Sequence, residues 1–181
     1  MDPNASRGDS GRNKLGRVKG LAVLAVSAAA AFTAAPPSAG APTCSPTGAK
    51  AAVRATKLRL NLLGPIKVRV DPTMVDRVVC FDFTRDGRLD LGVTIASGGT
   101  AGDVGWAVFV RTRTGWRVGA SGDGYKLTLK RVGGDFEIVQ PVYKTNDPNC
   151  CPTGGWDHVR HHWNGTRFVV TRAFHTKTFR R

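Results

Sequence analysis

The chain contains a single glutamate, Glu137, among its 13 acidic residues. A glycosidase that works with a pair of carboxylates would therefore depend on aspartates alone. The serines and His175 stand in no nucleophile-elbow or triad context, and the glycine-rich residues 97–103 lack the lysine and the following helix of a phosphate-binding loop. These absences predict a protein that is not an enzyme.

Acidic residues are scarce relative to basic ones. The chain has 27 lysines and arginines but only 13 acidic residues, and its formal net charge is +14. A charge of this size favours association with polyanions. The same composition also suits arginines that solvate the outer faces of strands, because no block of five or six like charges occurs. We expect an anionic envelope polymer or lipid headgroups as partner, not nucleic acid, and a monomer. The candidate residues for polyanion contact are Arg111, Arg113, Arg117, Lys126, Lys130 and Arg131.

Long hydrophobic runs are also absent. The apolar run of residues 20–32 has 13 residues, whereas a membrane-spanning helix needs roughly 20. Five basic residues precede this run and Ala39-Gly40-Ala41 follows it, which is the order of elements in a cleavable export signal over residues 1–41. The sequence therefore predicts a protein that is secreted or resides in the cell envelope.

Two details qualify the predicted export signal. Pro42 disfavours a cut directly before it, so cleavage near Ala34 or Ala35 is the alternative. Cys44 is not preceded by the small residue expected before a lipid-modified cysteine, so we expect no lipid anchor. Loss of residues 1–41 would remove five basic and two acidic residues and leave a charge of +11 on the remaining chain.

Four cysteines, at positions 44, 80, 150 and 151, form an even set in a chain with a predicted export signal. Disulfides are the expected state in that compartment. Four cysteines allow three connectivities, and a bond between the adjacent Cys150 and Cys151 would close a strained eight-membered ring. Of the two cross-pairings, we predict Cys80 with Cys151 and Cys44 with Cys150.

Helical periodicity is weak throughout. Residues 36–48 read as a flexible lead-in, and residues 49–56 would form one or two helical turns without a cap. After residue 56, apolar and polar side chains alternate as they do in strands. The predicted strand segments are 58–62, 66–70, 75–83, 89–95, 106–111, 116–120, 126–132, 136–141, 156–163 and 167–174.

Turn residues separate these segments at Thr114-Gly115, Gly122-Asp123-Gly124, Gly133-Gly134 and Asn164-Gly165, which predicts consecutive hairpins. Asn164-Gly165 is the strongest signal, because a type I′ turn needs positive φ at both central residues. We therefore predict a lead-in over residues 42–56 and a mainly β domain over residues 57–181. Its antiparallel hairpins would form a small sandwich, an open barrel or a two-blade propeller-like unit.

The segment from Asp82 to Asp90 places oxygen-bearing side chains at its first, third, fifth and ninth positions and Gly87 at its sixth. Convergent oxygens on a tight loop are what Ca²⁺ requires. Without a metal, the same residues would form a turn whose carboxylates accept backbone N–H bonds or pair with arginines. The candidate calcium residues are Asp82, Thr84, Asp86, Arg88 and Asp90, and no other cofactor is expected.

This segment resembles the calcium loops of FG-GAP and VCBS repeats, which occur in exported β-propeller proteins. Asp82, Asp86, Gly87 and Asp90 match that pattern. Thr84 stands where the family has a carboxylate or amide, and the adjacent Arg85 replaces a glycine, so both changes weaken cation binding. A metal-assisted hydrolase using this loop is the alternative function, and it would require a histidine near the three aspartates.

The segment Asp147-Pro148-Asn149-Cys150-Cys151-Pro152 is the most specific signature. With Trp156 and the later Trp163-Asn164-Gly165 it resembles actinobacterial envelope proteins of the LppP/LprE type, over residues 75–174. Thr153 stands where that family usually has serine, and the family's lipid-modified cysteine is missing. The resemblance implies an envelope or secreted location and no particular activity.

Three histidines, His158, His161 and His162, lie in one predicted strand and suggest a zinc site, since imidazole is a preferred zinc ligand. Side chains alternate between the two faces of a strand, so His158 and His162 would share one face and His161 would lie on the other. At most two imidazoles would then converge. An amphipathic strand is the favoured interpretation.

Overall fold

The computed structural model describes residues 43–62 and 64–179. The predicted export signal lies outside these residues. One helix, α1, spans Pro46–Thr56, and a 3-10 turn spans Pro72–Met74. No helix among the described residues has the length and apolarity to cross a bilayer. The ten strands are β1 (Arg59–Leu60), β2 (Val68–Arg69), β3 (Val75–Phe81), β4 (Asp90–Ala96), β5 (Asp103–Arg111), β6 (Trp116–Asp123), β7 (Thr128–Val132), β8 (Asp135–Pro141), β9 (Trp156–Trp163) and β10 (Phe168–Thr176).

The strands form two antiparallel meanders and one short ribbon. Strands β3, β4, β5 and β6 pair in chain order in the first sheet, and β7, β8, β9 and β10 do so in the second. The two-residue strands β1 and β2 pair with each other. The predicted mainly β, antiparallel fold is confirmed. The arrangement is sandwich-like, and no closed barrel forms among the described strands.

The first sheet is the middle layer of the domain. On one face, Leu91 and Phe109 belong to a core shared with α1 and the β1–β2 ribbon. On the other face, Val108 belongs to a core shared with Leu129 and Phe136 of the second sheet. Strands β4 and β5 are consequently buried along nearly their whole length. This explains why their sequence is almost continuously apolar and does not alternate.

Sequence analysis missed the beginning and the role of α1. The helix starts at Pro46, within the segment expected to be a flexible lead-in, and Ser45 caps it by accepting a hydrogen bond from the Gly48 N–H at 3.0 Å. Its face with Ala49 and Val53 is fully buried in the first core. The segment is therefore part of the domain and not a tether to it.

The turn predictions were correct in part. Thr114-Gly115 and Gly133-Gly134 connect paired strands, as expected. Gly122-Asp123-Gly124 does not form a hairpin, because β6 and β7 belong to different sheets and this segment carries the chain between them. The β9–β10 connection spans four residues, and only Gly165, not Asn164, has positive φ. Asn164 instead accepts the N–H groups of Thr166 and Arg167 with its side chain.

The predicted cysteine cross-pairing is wrong. Cys44 bonds to Cys80, with Cα atoms 5.8 Å apart, and Cys150 pairs with its neighbour Cys151. Cys44 lies at the start of α1, which packs on the first sheet beside β3, where Cys80 is located. The loop with Cys150 and Cys151 joins β8 to β9 of the second sheet. Neither pair therefore links the first sheet to the second.

The two cysteine pairs should differ sharply in their effect on stability. The Cys44–Cys80 bond closes a loop of 36 residues in sequence separation, for which the chain-entropy relation gives about 4 kcal/mol. The adjacent pair closes no further chain segment. Urea unfolding of the C44S/C80S variant should show that loss, and the matched C150S/C151S variant should lose much less. Equal losses in the two variants would contradict this account.

Candidate functional site

The segment Asp82–Asp90 connects β3 to β4 and folds into a tight loop held by its own hydrogen bonds. The carboxylate of Asp82 accepts hydrogen bonds from the backbone N–H groups of Asp86, at 3.1 Å, and Gly87, at 2.8 Å. Gly87 has a φ of +82° and Arg85 one of +59°, so the chain turns sharply at both residues. The Asp82 carboxylate thus stabilises the loop from within.

Asp90 attaches the loop to the first sheet. It is fully buried, and its carboxylate accepts bonds from the Thr84 N–H at 2.8 Å and hydroxyl at 3.0 Å, and from the Arg111 N–H at 3.0 Å. Burial raises the pKa of this carboxyl, and the same hydrogen bonds oppose that rise. The bond to Arg111 holds the loop against the end of β5.

The candidate calcium residues do not converge on one point. Asp82 and Asp90 bind different backbone N–H groups, and Asp86 forms an ion pair with Arg88. Across residues 43–62 and 64–179, no three side chains of His, Cys, Asp or Glu are arranged to hold a metal ion. Asp82 accepts backbone N–H bonds and Asp86 pairs with Arg88, and calcium binding stays a prediction.

A cleft of about 730 Å³ lies beside this loop, where the ends of both sheets meet. The β3–β4 loop, the β5–β6 hairpin and the β9–β10 turn form its walls. Its lining carries five guanidinium groups and one carboxylate, a surplus of four positive charges. We call it the arginine cleft. Its lining residues are Thr84, Arg85, Asp86, Arg88, Val110, Arg111, Thr112, Arg113, Arg117, Trp163 and Gly165.

The five arginines differ in how far they are neutralised. Arg88 is paired with Asp86 at 2.5 Å, whereas Arg85 lies 3.8 Å from Asp135 and remains well exposed. The guanidinium of Arg117 lies 5.4 Å from the centre of the Trp163 ring. Arg111 and Arg113 take part in no ion pair within the part of the chain that the structure describes. The cleft therefore keeps uncompensated positive charge.

The structure brings together three of the six predicted polyanion-contact residues. Arg111, Arg113 and Arg117 line the cleft. The other three basic residues do not line the cleft, and each has a local partner. Lys126 binds the backbone carbonyl of Asn149, Lys130 binds Glu137, and Arg131 lies over the Phe81 ring at 3.7 Å.

The sequence did not indicate Arg85 or Arg88 as anion-binding residues, since both were expected only beside a metal or as partners of the loop carboxylates. Both belong to the arginine cleft, because the β3–β4 loop folds back beside the β5–β6 hairpin. The available signal was the interruption of the calcium pattern by a cation at position 85. That departure weakens a metal site and strengthens an anion site.

The predicted distribution of the histidines is confirmed, with His158 and His162 on one face of β9 and His161 on the other. His161 stacks on Phe136 in the space between the sheets, with ring centres 4.7 Å apart. Burial lowers the pKa of its imidazole. His158 and His162 each bind a different carboxylate, Glu137 at 2.9 Å and Asp135 at 2.8 Å.

Glu137 is the centre of a buried ion cluster on the outer face of the second sheet. One carboxylate oxygen lies 2.9 Å from His158 Nδ1 and 3.1 Å from Lys130 Nζ. The other accepts from Arg160 Nη2 at 2.9 Å. Burial alone would raise the pKa of this carboxyl, but the hydrogen bonds from His158, Arg160 and Lys130 outweigh it and lower the pKa to about 2.

The chain matches no family model, no curated protein and no solved structure.

Acid unfolding should reveal how much the Glu137 cluster contributes to the stability of the fold. Because the pKa falls from 4.5 to about 2 on folding, the ionised carboxylate stabilises the fold above about pH 4.5, by about 3 kcal/mol. That contribution is lost as the pH falls from 4.5 toward 2. Urea unfolding of the wild type and Glu137→Gln across this range should show a stability difference that shrinks by about this amount on acidification. A difference that stays constant with pH would contradict the assignment.

Proposed function

We propose that this protein is an exported β domain of the cell envelope or secreted fraction that binds an anionic polymer through the arginine cleft. The observation that carries the proposal is the surplus of four positive charges on the lining of a single cleft. Guanidinium groups form forked, charge-assisted hydrogen bonds with phosphate and carboxylate oxygens. A concave lining of this kind suits a chain of phosphate or carboxylate groups better than a flat lipid surface.

The cleft is preorganised for such a ligand. The Asp90 carboxylate fixes the backbone of Arg111 and of the β3–β4 loop, and Asp82 braces that loop internally. The Arg117 guanidinium lies over the Trp163 ring in a cation–π contact. Binding groups that are already held in place lose less conformational entropy when the ligand arrives. The folded scaffold therefore supports a binding role.

The proposed location rests on the sequence. The predicted export signal and the resemblance of the Cys150-Cys151-Pro152 segment to actinobacterial envelope proteins both favour the exterior of the cell. The disulfide between Cys44 and Cys80 is compatible with an oxidising compartment. An anionic envelope polymer is then the most accessible partner, and lipid headgroups are the alternative source of the same phosphate chemistry.

Removal of Arg111 and Arg113, which form no ion pair with any residue that the structure describes, should weaken binding strongly. We expect the R111Q/R113Q variant to bind linear polyphosphate at least about tenfold more weakly at low salt, because two phosphate contacts are lost. The slope of log affinity against log salt should fall by roughly one for each contact removed. Calorimetric titration at several salt concentrations measures both quantities.

The matched control is K50Q/K67Q, which removes the same charge from exposed positions outside the cleft. It should change the affinity by no more than about threefold, since screened charges at a distance contribute little. A parallel titration with phosphatidylglycerol vesicles separates lipid from polymer. Equal losses of affinity in both double variants would refute the cleft as the binding site. Binding to vesicles but not to polyphosphate would show that the ligand is a lipid surface and not a polymer.

A further inference from the structure

A second pocket, of about 420 Å³, opens on the outer face of the second sheet. It shares no lining residue with the arginine cleft. The Glu137 ion cluster forms its base, and the chain that follows β10 forms one side. Its lining residues are Lys130, Val132, Glu137, His158, Arg160, Phe174, Thr176 and Thr178.

The base of this pocket holds more hydrogen-bond donors than its carboxylate can use. The Glu137 side chain is 2% exposed, and both of its oxygens are already bonded. Lys130 has three N–H donors and gives one to Glu137, and Arg160 has five and gives two. Their side chains are 32% and 27% exposed, and both line the pocket.

The pocket also carries a net positive charge. Two permanent cations, Lys130 and Arg160, outweigh the one carboxylate. Arg172 lies close by, with its guanidinium 4.5 Å from the centre of the Phe174 ring. His158 is held between Glu137 on Nδ1 and the Thr176 hydroxyl on Nε2, at 2.9 and 3.0 Å.

The walls of the pocket are less polar than its base. The Phe174 ring stacks on His158 with ring centres 4.6 Å apart, and Val132 lies in the same lining. Beyond β10, Phe179 packs on Trp156 at 4.6 Å and approaches the Lys130 ammonium at 5.9 Å. A ligand here would meet cations at one end and apolar or hydroxyl-bearing side chains around its body.

We propose that this pocket is a separate binding site for a small organic anion that carries one carboxylate or phosphate group. Lys130 and Arg160 bind the anionic group, Phe174 and Val132 contact the organic body, and Thr178 borders it. Glu137 is a positioning residue, because its oxygens hold both cations and His158 in place.

The test is a titration of the full chain with inorganic phosphate and with benzoate at constant ionic strength, followed by the His158 imidazole signals in NMR spectra. His158 lies in the pocket and outside the arginine cleft, so its signals report this site alone. Saturable shifts with either probe are expected. Shifts that chloride reproduces, or that do not saturate, would show nonspecific screening and overturn the proposal.

Two variants at one position complete the test. Lys130→Gln removes a donor and a charge and should weaken binding about tenfold, whereas Lys130→Arg keeps both and should bind within about threefold of the wild type. Equal affinity in wild type and Lys130→Gln would overturn the assignment. In the R111Q/R113Q variant, phosphate and benzoate should shift the His158 NMR signals as they do in the wild type. Failure of this proposal and failure of polymer binding in the arginine cleft are therefore distinguishable.

Discussion

The burial of the first sheet on both faces is the constraint on which the rest of the domain depends. The apolar side chains of Leu91 and Phe109 are buried against α1 and the β1–β2 ribbon, and that of Val108 is buried against the second sheet. The stacked sheets bring the β3–β4, β5–β6 and β9–β10 connections to one end. The arginine cleft exists because loops from two separate meanders meet there.

Strand periodicity and turn residues were sufficient to predict the mainly β class and the approximate position of every strand. They were insufficient where local and tertiary signals differ. Gly122-Asp123-Gly124 has the composition of a hairpin turn but leads from one sheet to the other, and only packing decides between these outcomes. The start of α1 was missed because Ser45 and Pro46 were read as linker composition, although they also form a cap and a first helical turn.

The candidate sites illustrate the same limit. Arg111, Arg113 and Arg117 were predicted as anion contacts from charge alone, and they do share a cleft. Lys126, Lys130 and Arg131 carry the same charge but do not line the cleft. The Glu137 cluster was not predicted, because its members are separated in sequence and only the register of β7, β8 and β9 places Lys130 and Arg160 beside Glu137.

The confinement of each cysteine pair to one sheet has a consequence for the integrity of the chain. No disulfide crosses from the first meander to the second, and the residues between β6 and β7 are the covalent link between them. A single proteolytic cut there would produce two fragments held together by noncovalent contacts alone. Each fragment would keep its own cysteine pair, and the two would separate on denaturation without any reductant.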